Sequence, residues 1–295
     1  FLQADVALAP RLDLSAGLRF DRIRFEVDDR FLSDGDQSGR RTFEEWSGTI
    51  GGLYTVAPGH RAYVNVGTAF QTPTFTEFAD PAGGGGFNPD IEPQKALNRE
   101  LGVRGRAGDR VRYDLALYSV RVRDEIVPFE QSGRTFYENA GRTRREGLEL
   151  GLDWIATDRL TVAAAYTYAD YRFADFVDDG TDVSGNRLPG IPEHLLYLEG
   201  DWQAADGRYA SLSTRYAGPV YADNENDVEV DGFTVVDARA GRRVGLAGER
   251  RLEFFVGVDN LFDEEYIANV RVNMGPGFFE PAPERTWVAG VELGF

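Results

Sequence analysis

Long stretches in which apolar and polar residues alternate, separated by breaks that are short and long in strict turn, constrain this chain more than any other feature. Thirteen such stretches run along its 295 residues: 2–9, 12–28, 42–56, 61–71, 97–106, 110–127, 141–156, 159–173, 190–203, 208–221, 232–244, 250–262 and 284–295. Leu252, Phe254, Val256 and Val258 share one face of their stretch, and Glu253, Gly257 and Asp259 share the other, with Phe255 the exception. Leu148, Leu150, Leu152 and Trp154 oppose Gly147, Glu149, Gly151 and Asp153 in the same way. A period of two belongs to a β-strand, whereas a helix repeats its apolar residues every three to four positions. Most stretches reach the ~9–11 residues that cross a bilayer at a tilt, and many exceed the ~5–6 usual in a globular protein.

The breaks carry the stronger argument. Six are short (10–11, 57–60, 107–109, 157–158, 204–207 and 245–248) and six are long (29–41, 71–96, 128–140, 174–189, 222–231 and 263–283). They alternate without exception, which puts every tight turn at one end of the strands and every large loop at the other. Transmembrane β-barrels of the bacterial outer membrane have this asymmetry, with tight periplasmic turns and larger external loops. A soluble all-β domain of the lectin kind has no reason to sort its loops by end. Mean hydropathy of -0.38 does not argue otherwise, because a barrel meets lipid with only every second residue. No run approaches the ~18 apolar residues of a membrane helix. The expected fold is therefore all-β, an antiparallel transmembrane barrel in outer-membrane lipid. Trp154, Trp202 and Phe295 fall at the expected periplasmic ends and Tyr168, Tyr171 and Phe262 near the external ends, where amphipathic rings form interfacial girdles.

Four further stretches are more specific. At the C-terminus, Trp287, Ala289, Val291, Leu293 and Phe295 share one face and Gly290, Glu292 and Gly294 the other. That resembles the signal by which barrel-assembly machinery recognises outer-membrane proteins: a terminal aromatic (Phe295), an apolar residue two before it (Leu293), and an earlier glycine (Gly290). Val288 departs from the pattern, which favours a polar residue there. Asp259-Asn260-Leu261-Phe262-Asp263 with Tyr266 is one motif. Asn139, Gly141, Arg144, Gly147 and Glu149 make another. Phe70, Pro73, Asn88-Pro89, Glu92-Pro93, Glu100 and Gly102 make the third. In this order and spacing the three resemble the TonB-dependent receptors, over nearly the whole chain from about Thr42. The resemblance implies a barrel of about 22 strands with an N-terminal plug in its lumen. It implies that this chain supplies about thirteen of those strands, as a barrel domain over 1–295 with the plug and first strands absent. A portion of that kind carries two unpaired edges and is not expected to transport anything alone.

The same resemblance implies uptake of a scarce nutrient, with a ferric siderophore or other iron chelate first among ligands, driven by a TonB complex acting through the missing plug. A passive porin-like channel is the main alternative. Candidate ligand contacts in the long loops are Phe75, Phe78, Phe87, Arg134, Tyr137, Phe278 and Phe279, aromatic and cationic groups suited to an aromatic or anionic chelate. The motif residues themselves read as architectural, with Pro73, Pro89 and Pro93 stiffening a loop. A net charge of -17 argues against a nucleic-acid partner, since phosphates need a basic face. Cysteine is absent, and neither acidic tract (175–182 or 223–227) has EF-hand spacing, so solvated loop charge is the simpler reading. His60 and His194 fall at opposite ends of the strands, and no catalytic constellation, cofactor or metal site is expected.

Overall fold

The computed structural model describes residues 1–294 except 35, 37, 81–86, 132–133, 140, 179, 247, 249 and 273–277. The side chains of 34, 128–131, 134–135 and 278 also lie outside the description. Thirteen strands form one antiparallel sheet in chain order. They are β1 (Leu2–Ala9), β2 (Leu12–Val27), β3 (Gly39–Ala57), β4 (His60–Gln71), β5 (Gln94–Ala107), β6 (Val111–Arg123), β7 (Arg142–Thr157), β8 (Leu160–Asp175), β9 (His194–Gln203), β10 (Arg208–Ala217), β11 (Phe233–Gly245), β12 (Arg251–Asp259) and β13 (Thr286–Gly294). Each strand pairs only with its chain neighbours, so β1 and β13 each keep one free edge. The sheet is part of a barrel wall.

The register shows which residues face lipid. Leu101 stands opposite Leu117, Leu117 opposite Leu148, Leu150 opposite Tyr166, and Tyr166 opposite Leu196. Leu196 leads on through Tyr216, and Phe254 pairs with Val291. Residues opposite one another point the same way, so these side chains share one face of the wall; on β11 that face carries Val236, Ala238 and Ala240, between Thr234 opposite Tyr216 and Arg242 opposite Phe254. Its large members are exposed: Leu101 is 56%, Leu117 50%, Phe254 47% and Val291 67% accessible. Such a band is tolerable only where hydrocarbon covers it.

The other face is polar and built around glycine. Tyr63 lies opposite Gly102, Tyr118 opposite Gly147, Tyr209 opposite Gly241 and Phe255 opposite Gly290. In each pair the ring occupies the space of the missing side chain: a Cβ on Gly241 would stand 2.5 Å from the Tyr209 hydroxyl, and one on Gly290 2.5 Å from the Phe255 ring. This accounts for Phe255, the one apolar residue that breaks the alternation of its strand. It faces the lumen, with the Arg239 guanidinium 3.8 Å above its ring.

Turn chemistry explains the tight end. Gly59, Gly108, Gly207 and Gly248 all adopt positive φ, the conformation that lets a chain reverse in a few residues. Strand ends at the external side differ from the sequence reading wherever local chemistry stops pairing. The stretch 208–221 ends at Ala217, because Gly218-Pro219 removes a donor. The stretch 250–262 ends at Asp259, because Asn260 turns to φ 56°. The stretch 110–127 ends at Arg123, because Asp124 takes φ 57° and bonds Gly141. The long breaks are not irregular: four contain hairpins of their own, at Ile126–Gln131 with Arg134–Asn139, Val177–Asp178 with Thr181–Asp182, Val220–Tyr221 with Glu229–Val230, and Ile267–Arg271 with Phe278–Pro281. Tyr171 is a correction: it lies on the lumen face and its hydroxyl meets that of Tyr118 at 2.9 Å, so it is no girdle residue.

Placing a charge in the lipid band should be costly. Leu150→Arg is expected to destabilise the complete receptor in lipid vesicles by about 2–4 kcal/mol. Glu149→Arg, on the lumen face, should cost less than half of that. Denaturant unfolding of both variants makes the comparison.

Candidate functional site

β2 and β3 run past the lipid band, and their lumen-facing positions there carry Phe25 and Phe43. The loop between β4 and β5 folds down onto these rings. Phe78 lies 5.0 Å from Phe25 and 6.0 Å from Phe43, Phe87 stacks on Phe78 at 4.6 Å, and Phe75 meets Phe25 edge-on at 5.2 Å. Ile91, Ile126 and Tyr137 complete the cluster. Each aromatic pair adds about 0.5–1.5 kcal/mol beyond its buried area, so the loop is held as a packed unit. Pro73 and Pro93, at its two ends, are fully buried.

Polar latches fix this unit to its neighbour. Arg41 sits 5.0 Å over the Phe43 ring and donates to the Asn88 carbonyl at 2.6 Å and the Glu92 carboxylate at 2.8 Å. Asn139 accepts from the Glu92 N–H at 2.7 Å and donates to the carbonyls of Glu92 at 2.8 Å and Asp124 at 2.7 Å. Two of the sequence motifs, around Glu92 and around Asn139, therefore recognise each other. The second continues into β7, where buried Thr143 donates to Glu125 at 2.6 Å and Arg145 pairs with the same carboxylate. The motif around Asn260 is also a turn-builder. Buried Asn260 donates its N–H to Asp237 at 2.8 Å, accepts from the Glu264 N–H at 2.8 Å and donates to the Glu264 carbonyl at 2.9 Å. Tyr266 then packs on Phe233 at 4.2 Å.

A second packed unit stands on β8. Phe173, Phe176, Val183 and Leu188 form a buried cluster with Val127, Tyr171 and Ile191 against it. The Asn226 side chain joins it to the loop after β10, accepting from the Arg187 N–H at 2.8 Å and donating to the Arg187 carbonyl at 3.0 Å. The Arg187 guanidinium lies 2.7 Å from Glu193 and holds that carboxyl below the usual carboxylate range. The acidic tracts are engaged in this packing. Asp223 accepts the N–H groups of Asp227 and Val228 at 2.9 and 3.0 Å, and Asp178 accepts from Asn224 at 2.7 Å. Among the described residues, no three His, Cys, Asp or Glu side chains gather as a metal site would require.

The candidate contact residues separate into two places. Phe75, Phe78, Phe87 and Tyr137 meet in the aromatic unit, where Phe75 is 58% exposed and Phe78 only 1%. Phe78 offers a ligand no surface; it supports Phe75 and Phe87. Phe279, 38% exposed, belongs to the distant hairpin after β12, in which Phe278 also lies. The side chains of Phe278 and Arg134, and the whole of Phe295, lie outside the described residues. On β13, Trp287, Val291 and Leu293 face outward at 67%, 67% and 46% exposure, with Gly290 beneath Phe255. The sequence reading passed over Phe25 and Phe43, which sit within strands; following the lumen face outward beyond the lipid band finds both.

A thirteen-strand meander with a lipid band, a glycine-and-aromatic lumen wall and latched external loops defines an outer-membrane receptor barrel. The family described as "TonB dependent receptor-like, beta-barrel" matches residues 1–261, and the chain belongs to it. It is 27% identical to the catecholate siderophore receptor Fiu of Escherichia coli (strain K12), over 96% of this chain and 40% of that protein. It is 28% identical to the ferrioxamine receptor of Yersinia enterocolitica, over 91% of this chain and 36% of that protein. The crystal structure of Fiu from K12 E. coli in its closed form superposes with a TM-score of 0.77 at 23% identity, over 97% of this chain and 43% of that one. The chain thus spans about two-fifths of the relatives it matches, and all of the match is barrel wall.

The Asn139 latch gives a test of this architecture. Asn139→Ala removes three exposed hydrogen bonds, to the Glu92 N–H and to two carbonyls, each worth about 0.5–1.5 kcal/mol. Hydrogen exchange should accelerate across 87–93 and 126–139, with the strand amides of β7 and β8 unchanged.

Proposed function

We propose that this chain is the greater part of the barrel of a TonB-dependent outer-membrane receptor that imports a scarce nutrient, with a ferric siderophore or other iron chelate as its ligand. A plug and the remaining strands, supplied by the rest of the receptor, complete it on this reading. The free edges of β1 and β13 support that, since unpaired strand edges are costly in lipid. The observation that carries the reading is a polar lumen wall under external loops that present aromatic surface at Phe75 and Phe87. Relatives named for catecholate siderophores and ferrioxamine supply the ligand class. In this reading Phe75, Phe87, Tyr137 and Phe279, with Arg134 and Phe278, grip the chelate, while Phe78 holds the platform rigid. The C-terminal sequence with Trp287, Gly290, Val291, Leu293 and Phe295 doubles as the segment read by barrel-assembly machinery. Energy comes from TonB through the plug; a porin-like channel would need neither.

Radiolabelled iron uptake tests both parts. A strain lacking the receptor should regain uptake from at least one siderophore when the complete gene is returned, and lose it again when tonB is deleted. Phe75→Ala combined with Phe87→Ala should weaken binding about tenfold, the scale of losing one or two stacked rings. Uptake that persists without TonB would establish the passive channel instead.

A further inference from the structure

We propose that the outer wall of this barrel carries a docking site for a phosphorylated lipid of the outer leaflet, in a cleft between the diverging ends of β3 and β4. These strands pair only from Thr49 opposite Gly67 down to Ala57 opposite His60. Beyond that point β3 continues with β2 as far as Gly39, and β4 continues with β5 as far as Gln71. The fork opens a cleft of about 840 Å³, with Trp46, Phe70 and Leu97 as apolar lining.

On the β3 side the lining carries Glu44 and Glu45, which are held by Arg22 at 3.3 Å and Lys95 at 2.8 Å; on the opposite side it is cationic, with Lys95, Arg121, Arg123, Arg142 and Arg144 in two rows set by the strand register. Arg121 stands opposite both Leu97 and Arg144, and Arg144 opposite Arg172. One step further out, Arg123 stands opposite both Lys95 and Arg142. These positions alternate in phase with Leu117, Leu148 and Leu150, so they belong to the lipid-facing side. The intervening residues Val122, Thr143 and Phe173 face the lumen and are buried there at 4%, 1% and 3% exposure.

Height along the wall matches the headgroup level. Val111, opposite Trp154, marks the periplasmic end of β6, and Arg121 lies ten residues further on. At ~3.3 Å per residue and a tilt near 40°, that spans roughly 25 Å, the height of the apolar band of such barrels. The arginines therefore stand where hydrocarbon gives way to headgroups.

Charge then selects the occupant. Like charges directly opposite one another across a strand pair are destabilising, and here a chain of net charge -17 concentrates them. Asp170 relieves part of the repulsion, 2.6 Å from Arg172 and 4.0 Å from Arg144, and Lys95 reaches across the fork to Glu45 at 2.8 Å. Arg121, Arg123 and Arg142 have no ion-pair or side-chain hydrogen-bond partner among the described residues. Guanidinium groups bind phosphate through paired N–H donors, and basic clusters beside a bilayer hold anionic headgroups. An apolar cleft continuous with the lipid band, topped by unpaired guanidinium groups, fits acyl chain and phosphate of one molecule.

The test uses the complete receptor in detergent, mixed with the phosphorylated outer-leaflet lipid of the expressing cells or with the same lipid after dephosphorylation. Lipid retained after washing is then weighed by native mass spectrometry. The wild-type receptor should keep the phosphorylated form about tenfold better than the dephosphorylated one. Replacing Arg121, Arg123, Arg142 and Arg144 by Gln should abolish that difference, and replacing them by Lys should keep most of it. The wild-type comparison needs no variant, so a folding failure in the Gln protein does not shelter the proposal. Equal retention of the two lipids, or displacement of the lipid by millimolar inorganic phosphate, would overturn it.

Discussion

In hydrocarbon there is no water to satisfy a peptide group, and everything in this wall follows from that condition. Each inner strand hands its N–H and C=O groups to the neighbours on either side in chain order, and the apolar face that carries Leu101 and Val291 replaces water with acyl chain. A sheet obeying that rule has no apolar interior to hold it together. Its lumen side is therefore knit by tyrosine and phenylalanine rings laid over glycines, and by pairs such as Tyr63 to Glu100 at 2.7 Å and Arg243 to Glu253 at 2.9 Å. Only where the strands leave the bilayer do side chains pack as they do in a soluble core.

That transition locates the candidate site. The two buried clusters, around Phe78 and around Phe173, sit at the mouth and are built jointly by strand ends and loops. Loops of fifteen or more residues would otherwise cost too much order to present a defined surface. Arg41, Asn139, Asn226 and Asn260 convert them into latched units by answering backbone groups that no strand neighbour can reach. The family's motifs fall on these latches rather than on exposed rings.

Much of this was legible from residue order. A period of two and the alternation of tight and long connections give strand number, topology and lipid face without any three-dimensional information, because register couples every side chain to a side of the wall. Residues whose position depends on a partner distant in sequence were not legible. Asn139 and Glu92 are 47 residues apart, and neither shows its bond in the local pattern. Phe78 looked like any exposed loop aromatic, since only its packing against Phe25, Phe43 and Phe87 buries it. Tyr171 looked like a girdle residue until the phase of β8 turned it inward. The hairpins inside the long loops were hidden because Gly218, Asp124 and Asn260 interrupt pairing at single positions.

The central claim is that one face of each strand meets acyl chains and the other an aqueous lumen. Nitroxide labels placed singly at 252 through 258 on β12 of the complete receptor in bilayers test it directly. Collision with oxygen, which concentrates in lipid, should peak at 252, 254, 256 and 258, and collision with a water-soluble nickel chelate should peak at 253, 255 and 257. Equal accessibility at adjacent positions, or shielding of 252, 254 and 256 from both reagents, would contradict the account.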